Sequence, residues 1–405
     1  MRSLPRCILS ISILSACSSP VLALAAPDPG DGPLALEWNV RLRHESVDDS
    51  AFVRDANATT LRLRLGLRAR LGSGWSALVE GEGVAALADG YNSGANGRTA
   101  YPVIADPSGA ELNQAWLGWR NEKFATTLGR QRILVDNQRW VGNSGWRQNE
   151  QTFDAMALEW KPAIPVTVRY FWLDRVHRIN GDQARDPLAR ERDLNTHLLD
   201  VALLHGTQLW GAYVYAHQDQ DLATASTVTT GLRWSGTHGR AGRGWGWRVE
   251  AAQQRNRADN PLRFSHLYWL LEPSLTWRGV TWRAGWEHLG GDGRHALQTP
   301  LATLHAFNGW ADKFLVTPAN GLDDYYLGAG GALAATGWAA KAKWVLAAHR
   351  YRADTGGGGY GKELDASLAY PLNKKLTGLL KLADYHSADA AHDATKLWLQ
   401  LEWVQ

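Results

Sequence analysis

After residue 30 the sequence has no apolar run approaching the roughly 20 residues that a membrane-spanning helix needs, which excludes helical membrane spans. Cysteine is nearly absent, because the only two, Cys7 and Cys17, lie close to the N-terminus. A disulfide framework is therefore excluded for the remainder of the chain. The sequence also lacks a phosphate-binding loop and a nucleophile elbow, and its 13 histidines show no metal-ligand spacing. We accordingly predict no catalytic residue, no metal site and no cofactor.

Residues 1–25 have the pattern of a secretory signal peptide. Two early arginines precede the apolar run Ile8–Leu14, and Ala23-Leu24-Ala25 offers a small-residue cleavage site. An alternative is processing as a lipoprotein at Cys17, because Leu14-Ser15-Ala16-Cys17 resembles a bacterial lipoprotein box. Cleavage near Ala25 removes the two arginines and lowers the formal net charge from +3 to +1. The overall charge therefore indicates no partner, and no nucleic acid is expected.

The segment from Leu61 to Leu71 alternates strictly between apolar and mostly cationic side chains. A strand has a period of two residues, so Arg62, Arg64, Arg68 and Arg70 share one face and the leucines share the other. The same alternation recurs down the chain, with Trp, Leu and Val on the apolar side, and the chain contains 21 tryptophans. This pattern predicts an all-β, single transmembrane antiparallel β-barrel with lipid outside, an aqueous lumen inside and aromatic girdles at the interfaces.

Eight short turn signals recur along residues 34–405, which read as one barrel domain. Eight short periplasmic turns, with both termini on the same side and longer outer loops between them, give about 18 strands, and 16 is the alternative. The eight turns are Gly72-Ser73-Gly74, Asn121-Glu122-Lys123, Lys161-Pro162-Ala163-Ile164-Pro165, His205-Gly206-Thr207, the glycine-rich stretch 236–244, Arg278-Gly279, Ala335-Thr336-Gly337 and Pro371-Leu372-Asn373-Lys374-Lys375. Two segments, 124–133 and 152–160, fit less well, because Leu128, Met156 and Leu158 fall on the expected lumen side; a bulge or a different register would resolve this.

The inward face carries an excess of positive charge. The inward bases on the regular strands are Arg41, Arg43, Arg62, Arg64, Arg68, Arg70, Arg169, Arg233, Arg248, Arg283, Lys341, Lys343, Lys381 and Lys396. The inward acids are Glu37, Glu45, Glu80, Glu82, Glu250, Glu287, Glu363, Asp365 and Glu402. An arginine fork can bind a carboxylate through two donors, so the arginine row of 61–71, with few acids near it in sequence, favours an anion path. The alternative is that opposite charges pair across neighbouring strands and only rigidify the barrel.

Two stretches are too unusual for a generic barrel. The first contains Leu128-Gly129-Arg130-Gln131-Arg132, Asp136-Asn137-Gln138-Arg139 and 145–154, and the second spans 298–314 and 317–326. Together with Tyr360-Gly361-Lys362-Glu363-Leu364-Asp365, they resemble the alginate-export family of Gram-negative outer-membrane barrels. The chain departs from this pattern in being shorter than expected of a dedicated exporter and in ending on Trp403-Val404-Gln405.

The resemblance implies an 18-stranded barrel whose arginine-rich constriction passes a uronate polysaccharide. The matching positions are Arg130 and Arg132, with a less specific correspondence for Asp136, Arg139, Arg147 and Asp154. It also implies the outer membrane of a Gram-negative bacterium as the location. The expected partners are an anionic saccharide, outer-membrane lipid, the barrel assembly machinery and, for an exporter, periplasmic export components.

The segment 287–324 is too long for an ordinary loop. Its residues Leu304, Phe307, Trp310 and Phe314 have near-helical spacing, which predicts a short amphipathic helix folded into the barrel mouth as a gate. In that interpretation the rings stack on sugars; in the alternative they pack against the inner wall and hold the loop still.

These observations favour a channel for anionic saccharides, with a uronate polymer such as alginate as one cargo. A general porin for small solutes is the main alternative. A barrel enzyme that hydrolyses lipid is a weaker one, because the neighbouring Ser265 and His266 would face opposite sides of a strand. We therefore predict a transport protein rather than an enzyme, with anion selectivity that weakens when Arg62, Arg64, Arg68 and Arg70 are neutralised.

Overall fold

A computed structural model describes residues 32–405, except 241, 335, 390 and 391. The predicted signal peptide, the lipoprotein box at Cys17 and the turn residue Ala335 lie outside the described residues. No helix in the described part of the chain is long and apolar enough to cross a membrane.

The described chain forms one antiparallel sheet of 18 strands. The strands are β1 (Leu34–Asp49), β2 (Ala56–Gly72), β3 (Trp75–Gly90), β4 (Gly109–Arg120), β5 (Phe124–Gln131), β6 (Thr152–Trp160), β7 (Val166–His177), β8 (Glu191–His205), β9 (Gln208–His217), β10 (Thr227–Arg240), β11 (Arg243–Asn256), β12 (Ser265–Trp277), β13 (Val280–Leu289), β14 (Leu322–Ala332), β15 (Lys343–Arg352), β16 (Gly359–Pro371), β17 (Leu376–Ser387) and β18 (Ala394–Val404). Each strand pairs with its sequence neighbours, and β1 also pairs with β18, for example Arg41 with Glu402. The sheet is therefore a closed barrel, and of the two predicted strand numbers 18 is confirmed.

The two ends of the barrel differ in their connections. The short turns, the start of β1 and the end of β18 lie at one end, which we call the turn side. The long connections lie at the other end, the loop side. Among the described residues, four short helical turns occur outside the strands: α1 (Pro187–Arg190) and the 3-10 turns Ala223–Ala225, Leu304–Ala306 and Trp338–Lys341. The arrangement agrees with the predicted pattern of short turns and long loops.

Side chains alternate between the two faces of the wall as the sequence predicts. On β2 the leucines are exposed, with Leu65 retaining 49% of its accessible surface, whereas Arg62 and Arg64 are buried in the interior. Tryptophans on the outer face gather near the turn side, where Trp234 contacts both Trp210 and Trp247. The exposed leucines form the apolar band of a membrane barrel, and the tryptophans form its turn-side girdle.

Of the two explanations offered for the irregular pattern of β5 and β6, a bulge or a different register, the different register is observed. Leu128, Met156 and Leu158 are exposed on the outer face, while Ala155 and Ala157 are buried inside. No bulge interrupts the pairing of β5 with β6, in which Leu128 lies opposite Met156. The two strands therefore run one residue out of phase with the lumen face assigned from the sequence.

Lys341 and Lys343 were both predicted to lie on one strand as inward bases, but that strand, β15, begins only at Lys343. Residues Trp338–Lys341 form a 3-10 turn that follows Gly337, whose φ of 76° favours glycine. Trp338 is exposed there, and Lys341 is not on a strand. Lys341 is therefore not one of the inward bases, whereas Lys343 keeps the inward parity of β15.

The core lies inside the barrel. Two long connections fold inward and pack against inward side chains of the strands, and the buried side chains of the connections include Trp140, Trp146, Leu297 and Leu301. We call residues 132–151, between β5 and β6, inner loop A, and residues 290–321, between β13 and β14, inner loop B. They divide the interior, and they position the candidate site.

Candidate functional site: the lumen and its two inner loops

The two inner loops bind each other in the middle of the lumen. Val141 and Leu301 form a parallel β-bridge, and Gly142 N donates to Leu301 O at 2.9 Å. The side chain of Gln151 also donates to Leu301 O at 2.9 Å, and Thr303 Oγ1 donates to Gln138 Oε1 at 2.6 Å. Because backbone and buried side chains both contribute, the loops form one crosspiece rather than two independent flaps.

Arginines of β1 and β2 hold inner loop A against the wall. Arg41 Nη1 and Arg43 Nη2 donate to the carbonyl of Trp146 at 3.2 and 2.6 Å. Arg62 and Arg64 reach the carbonyl of Gln148 at 3.4 and 3.3 Å. A charged donor makes a stronger hydrogen bond to a carbonyl than a neutral donor does, so these arginines hold the backbone of inner loop A against β1 and β2.

The arginine row of β2 has more acidic partners than its sequence neighbours suggest. Arg62 pairs with Glu402 at 3.2 Å, Arg64 with Glu82 and Glu150, and Arg68 with Glu37. Arg70 is half-buried near the turn side. The expectation that few acids lie near this row is wrong. Glu37 and Glu82 come from β1 and β3, the hairpin partners of β2, closure of β1 on β18 adds Glu402, and inner loop A adds Glu150.

Arg130 and Asp154, predicted to line the pore, lie elsewhere. They pair with each other, Nε to Oδ1 at 2.9 Å, and they share the outer parity of Leu128 and Met156. Asp154 also contacts His177 Nε2 at 2.9 Å. The one-residue phase error on β5 and β6 accounts for this correction, and the pair belongs to the outer face near the loop side.

The other predicted site residues are brought into the lumen by inner loop A. Arg132 pairs with Glu80 at 2.7 Å and with Glu150. Arg139 pairs with Glu287 at 2.8 Å and donates to Asn308 at 3.1 Å. A further group of contacts comprises Arg147 with Asp312 at 2.9 Å and with Glu45 at 3.3 Å, and Asp136 with Arg248 and, at 3.8 Å, with Arg233.

Buried acids of the inner loops are held in their charged form. Burial alone would raise the pKa of Glu150, but the charges of Arg132 and Arg64 outweigh it and lower the pKa to about 2. Burial likewise opposes the charge of Asp312, yet Lys396 and Arg147 hold the pKa of its carboxyl well below the usual value. These loop carboxylates therefore stay ionised at neutral pH and act as fixed partners of the wall cations.

The gate candidates Phe307, Trp310 and Phe314 belong to inner loop B, but they do not lie on a helix. Only Leu304–Ala306 forms a single 3-10 turn, so the predicted amphipathic helix is wrong. Positive φ angles at Asn308, Gly309 and Asp312 bend the chain, and a Cβ at Gly309 would come within 2.2 Å of Tyr351 Oη. Side-chain bonds to the wall therefore determine the path of this loop, rather than helical propensity.

The rings of the gate candidates pack against the interior. Phe314 contacts Tyr351 with ring centroids 4.4 Å apart, and Phe307 lies beneath the Arg139 guanidinium at 4.8 Å. Trp310 lies 3.9 Å from the ammonium of Lys381. This packing corresponds to the alternative in which the rings hold inner loop B against the inner wall of the barrel.

Lys381 occupies an aromatic cage that joins both loops to β17. Its Nζ lies 4.0 Å from the ring of Trp146 in inner loop A, opposite Trp310 of inner loop B, and 2.6 Å from His305 Nε2. The other ring nitrogen of His305 contacts Asp312 at 2.6 Å, and burial lowers the pKa of His305, so its ring is neutral at neutral pH. From the sequence Lys381 was predicted only to be an inward base. The cage is supplied by two loops that are distant in sequence, so no local motif indicates it.

A chamber of about 240 Å³ remains beside the crosspiece, against β11 to β17. Its charged lining is mixed in sign: Arg248, Arg283 and Lys381 face Glu272, Glu287, Asp324 and Asp365. Tyr326 donates to Glu272 Oε2 at 2.6 Å within it. The chamber offers bidentate cationic donors together with acceptors and aromatic rings, which are the groups that bind charged sugars.

One cluster in the described chain has the composition of a metal site. His288, Asp323 and Asp354 bring ligand atoms within 4.8 Å of one another on the outer face. Asp323 Oδ1 already accepts from Trp286 Nε1 at 2.8 Å and contacts His288 Nδ1 at 2.9 Å. Hydrogen bonds within the cluster account for the arrangement, so it gives no reason to assign a metal.

Comparison with known proteins places the chain among outer-membrane channels. The alginate export family matches residues 33–289, a range that includes inner loop A and ends before inner loop B. Among curated proteins, no match is found. The match covers more than half of the chain.

Several solved structures share the fold. OccAB2 of Acinetobacter baumannii superposes with a TM-score of 0.72 at 13% identity, covering 92% of this chain and 98% of that one. OccK9 (OpdG) of Pseudomonas aeruginosa gives 0.72 at 16% identity with the same coverage. OpdK of Pseudomonas aeruginosa, solved with vanillate, gives 0.71 at 12% identity and covers 91% and 98%. The chain is an 18-stranded channel of the Gram-negative outer membrane and belongs to the alginate-export family.

Proposed function

We propose that this channel passes anionic saccharides, with uronate oligomers and alginate as candidate cargo, along arginines that face the lumen. The observation that carries the proposal is an asymmetry of exposure within ion pairs. The side chain of Arg132 is 29% exposed and that of its partner Glu150 is fully buried. The same holds for Arg169 against Asp200, 18% and 0%, and for Arg248 against Glu250, 22% and 1%.

An ion pair in which the acid lies behind the base still presents positive charge to the lumen. A guanidinium uses only some of its five donors on one carboxylate, so the remaining donors can bind a carboxylate on a passing sugar. A narrow lumen with low-dielectric walls strengthens such a field. Arg132, Arg169 and Arg248 are therefore the proposed anion contacts, while Arg62 and Arg64 act by supporting inner loop A.

The crosspiece limits the size of cargo in this conformation. Inner loop A is bound to β1 and β2, and both loops are bound to β17 through Lys381. Short anionic sugars would use the chamber beside the crosspiece, whereas a polymer chain would need the inner loops to separate. Passage of a polymer therefore depends on breaking the Val141–Leu301 bridge.

The test is block of single-channel current by uronate oligomers of increasing length in planar bilayers. We expect block by trimers and longer oligomers, no block by carboxyl-reduced oligomers, and a loss of about tenfold in blocking affinity when Arg132, Arg169 and Arg248 become Gln. Equal block by charged and reduced sugars, or block unchanged in the triple variant, would contradict the proposal.

A general porin is the second candidate, and one observation favours it. On the wall formed by β1, β2 and β18 the acids are the more exposed partners: the side chain of Glu402 is more exposed than that of Arg62, and that of Glu37 more than that of Arg68. A lumen of mixed sign would pass small solutes with weak selectivity. Absence of block by any oligouronate, together with weak ion selectivity, would support this candidate over the first.

A further inference from the structure

A cluster of exposed cations lies on the outer face of the barrel, outside the lumen. Arg350 and Arg352 on β15 share the outward parity of Leu346, and Lys362 on β16 shares that of Leu364. All three cations are exposed, and both leucines belong to the apolar band, at 52% and 60% exposure. The cations therefore lie on the lipid-facing surface toward the loop side, Lys362 two residues beyond Leu364, and Arg350 and Arg352 four and six residues beyond Leu346.

The cluster has no acid to neutralise it. Arg350 and Lys362 are direct cross-strand partners, an arrangement that is destabilising for like charges. Within residues 32–405, apart from the four undescribed positions, no carboxylate oxygen lies within 4.0 Å of the charged nitrogens of Arg350, Arg352 or Lys362. The structure keeps two facing cations where a neutral pair would cost less.

The neighbouring acids are bound to other groups. Asp323 lies opposite Arg352, but its carboxylate accepts from Trp286 and contacts His288. On the other flank, Asp384 contacts His386 Nε2 at 3.1 Å, and His386 lies opposite Lys362. The acids at the edges thus leave the centre of the cluster positive.

A surface depression accompanies the charges. It has a volume of about 730 Å³ and is bordered by Arg350, Lys362 and His386 at the loop-side end. Ala348, Leu364 and Asp384 lie on the membrane side, where the Asp384 carboxylate is bound to His386 and Thr395. A ligand in it would meet cations at one end and apolar side chains at the other. That is the chemistry of a phosphorylated headgroup continuous with acyl chains.

We propose that Arg350, Arg352 and Lys362 form a binding site for the phosphate groups of lipid A, the phosphorylated glycolipid of the outer leaflet. In an outer-membrane barrel the long loops face the cell exterior, which places this cluster at the level of that leaflet's headgroups. Arginine binds phosphate through paired donors, and lysine adds a point charge. A bridging phosphate would convert the like-charge pair of Arg350 and Lys362 into a favourable contact.

The position of the cluster favours a lipid over a soluble anion. A free phosphate would gain only the cationic end of the depression, whereas a glycolipid also covers Ala348 and Leu364. Its acyl chains would continue along the exposed leucines of β15 and β16, so charge and apolar contact come from one molecule.

The test measures lipid A bound to the purified full barrel by native mass spectrometry. We expect the fraction bound to the double variant Arg350→Gln/Lys362→Gln to correspond to at least a tenfold weaker affinity than that of the wild type. Arg255→Gln is the matched control: Arg255 is exposed on the same face near the loop side, and its cross-strand partners Val228 and Ser265 are uncharged. This control is expected to bind lipid A as the wild type does.

Two further arms identify the source of the phosphate. Lipid A stripped of its phosphates should bind the wild type no better than it binds the double variant, and millimolar inorganic phosphate should not displace intact lipid A. Equal binding by the double variant and the wild type would overturn the proposal, as would equal binding of the stripped lipid or displacement by inorganic phosphate. Heat-modifiable gel mobility shows that each variant is folded, so loss of binding is not loss of the barrel.

Discussion

Glu150 is the residue at which the wall of the barrel and the crosspiece meet. Its carboxylate contacts Arg132 and Arg64 and accepts from Asn113 and Asn143 at 2.6 and 2.7 Å. Removing one partner of a buried ion pair leaves the others unpaired, which costs several kcal/mol. Glu150, which in the sequence is only one residue of the stretch 145–154, therefore links β2, β4 and both ends of inner loop A.

Glu150→Gln should lower the free energy of unfolding by about 3 kcal/mol at neutral pH. Because the folded pKa of about 2 lies below the unfolded value of about 4.3, the contribution is fully present above pH 4.3 and is lost as pH falls toward 2. Thermal or denaturant unfolding, followed by tryptophan fluorescence across this range, measures the difference between variant and wild type. A difference that vanishes already at pH 6, or persists unchanged at pH 1.5, would contradict this role (these pH values bracket the window by about one to two units).

At the scale of elements, the inner loops are the part of the molecule that can change. Fixed strands surround them, and they meet through one short bridge, Val141 with Leu301, and a few side-chain bonds. Many of their contacts with the wall are ion pairs, hydrogen bonds from arginine or cation–π contacts, and such contacts can be replaced by those of a charged ligand.

A disulfide across the bridge should separate passage of small ions from passage of chains. Residues paired across a β-bridge lie near the Cα separation that a disulfide spans, so Val141→Cys/Leu301→Cys is expected to cross-link under oxidising conditions. We expect the oxidised variant to keep its ion conductance but to stop release of long oligouronates from proteoliposomes. The same variant under reductant is the matched control.

Release of long oligouronates at the same rate with and without the cross-link would show that the loops need not separate. In that case the chamber beside them, rather than the crosspiece, would be the path of the polymer.

Elements that are determined by neighbouring residues could be predicted from the sequence, whereas elements that depend on contacts between distant residues could not. Turn residues such as Gly72 to Gly74 and Arg278-Gly279 specify hairpins locally, and they yielded the strand count. The rings of inner loop B have helical spacing, yet the loop is not helical, because bonds to distant strands such as Ala311 N to Glu363 fix its backbone. The hairpins were predicted correctly because their determining residues are close in sequence. The conformation of inner loop B was not, because its bonding partners are far away in sequence.

At the scale of the whole molecule, the barrel divides its side chains between lipid and lumen. The alternation on β2 was readable because hydrocarbon selects every second residue. The charge balance of the lumen was not readable, because closure of β1 on β18 brings Glu402 beside Arg62 from the far end of the chain. The lumen face of β5 and β6 was assigned wrongly because the alanines and threonines on their inner face give a weak alternation. Arg130 and Asp154 were therefore assigned to the lumen, although they lie on the outer face.

Depth in the membrane should determine the cost of a charge on the outer face of β2. Leu65→Arg, near the middle of the strand, should lower the free energy of unfolding by about 2–4 kcal/mol, and Asn57→Arg, on the same face at the loop-side end, by about 0–1 kcal/mol. Unfolding in lipid vesicles by denaturant measures both. Equal costs for the two variants would mean that this face does not meet hydrocarbon.

The central claim is that the lumen presents positive charge through Arg132, Arg169 and Arg248 although acids lie behind them. It is tested most directly by the reversal potential of the purified channel in a planar bilayer under a potassium chloride gradient. We expect a potential of the sign given by chloride preference, shifted toward zero when the three arginines become Gln and unchanged in the outer-face control Arg255→Gln. A potential of the cation-selective sign in the wild type, or one that the triple variant leaves unchanged, would contradict the claim.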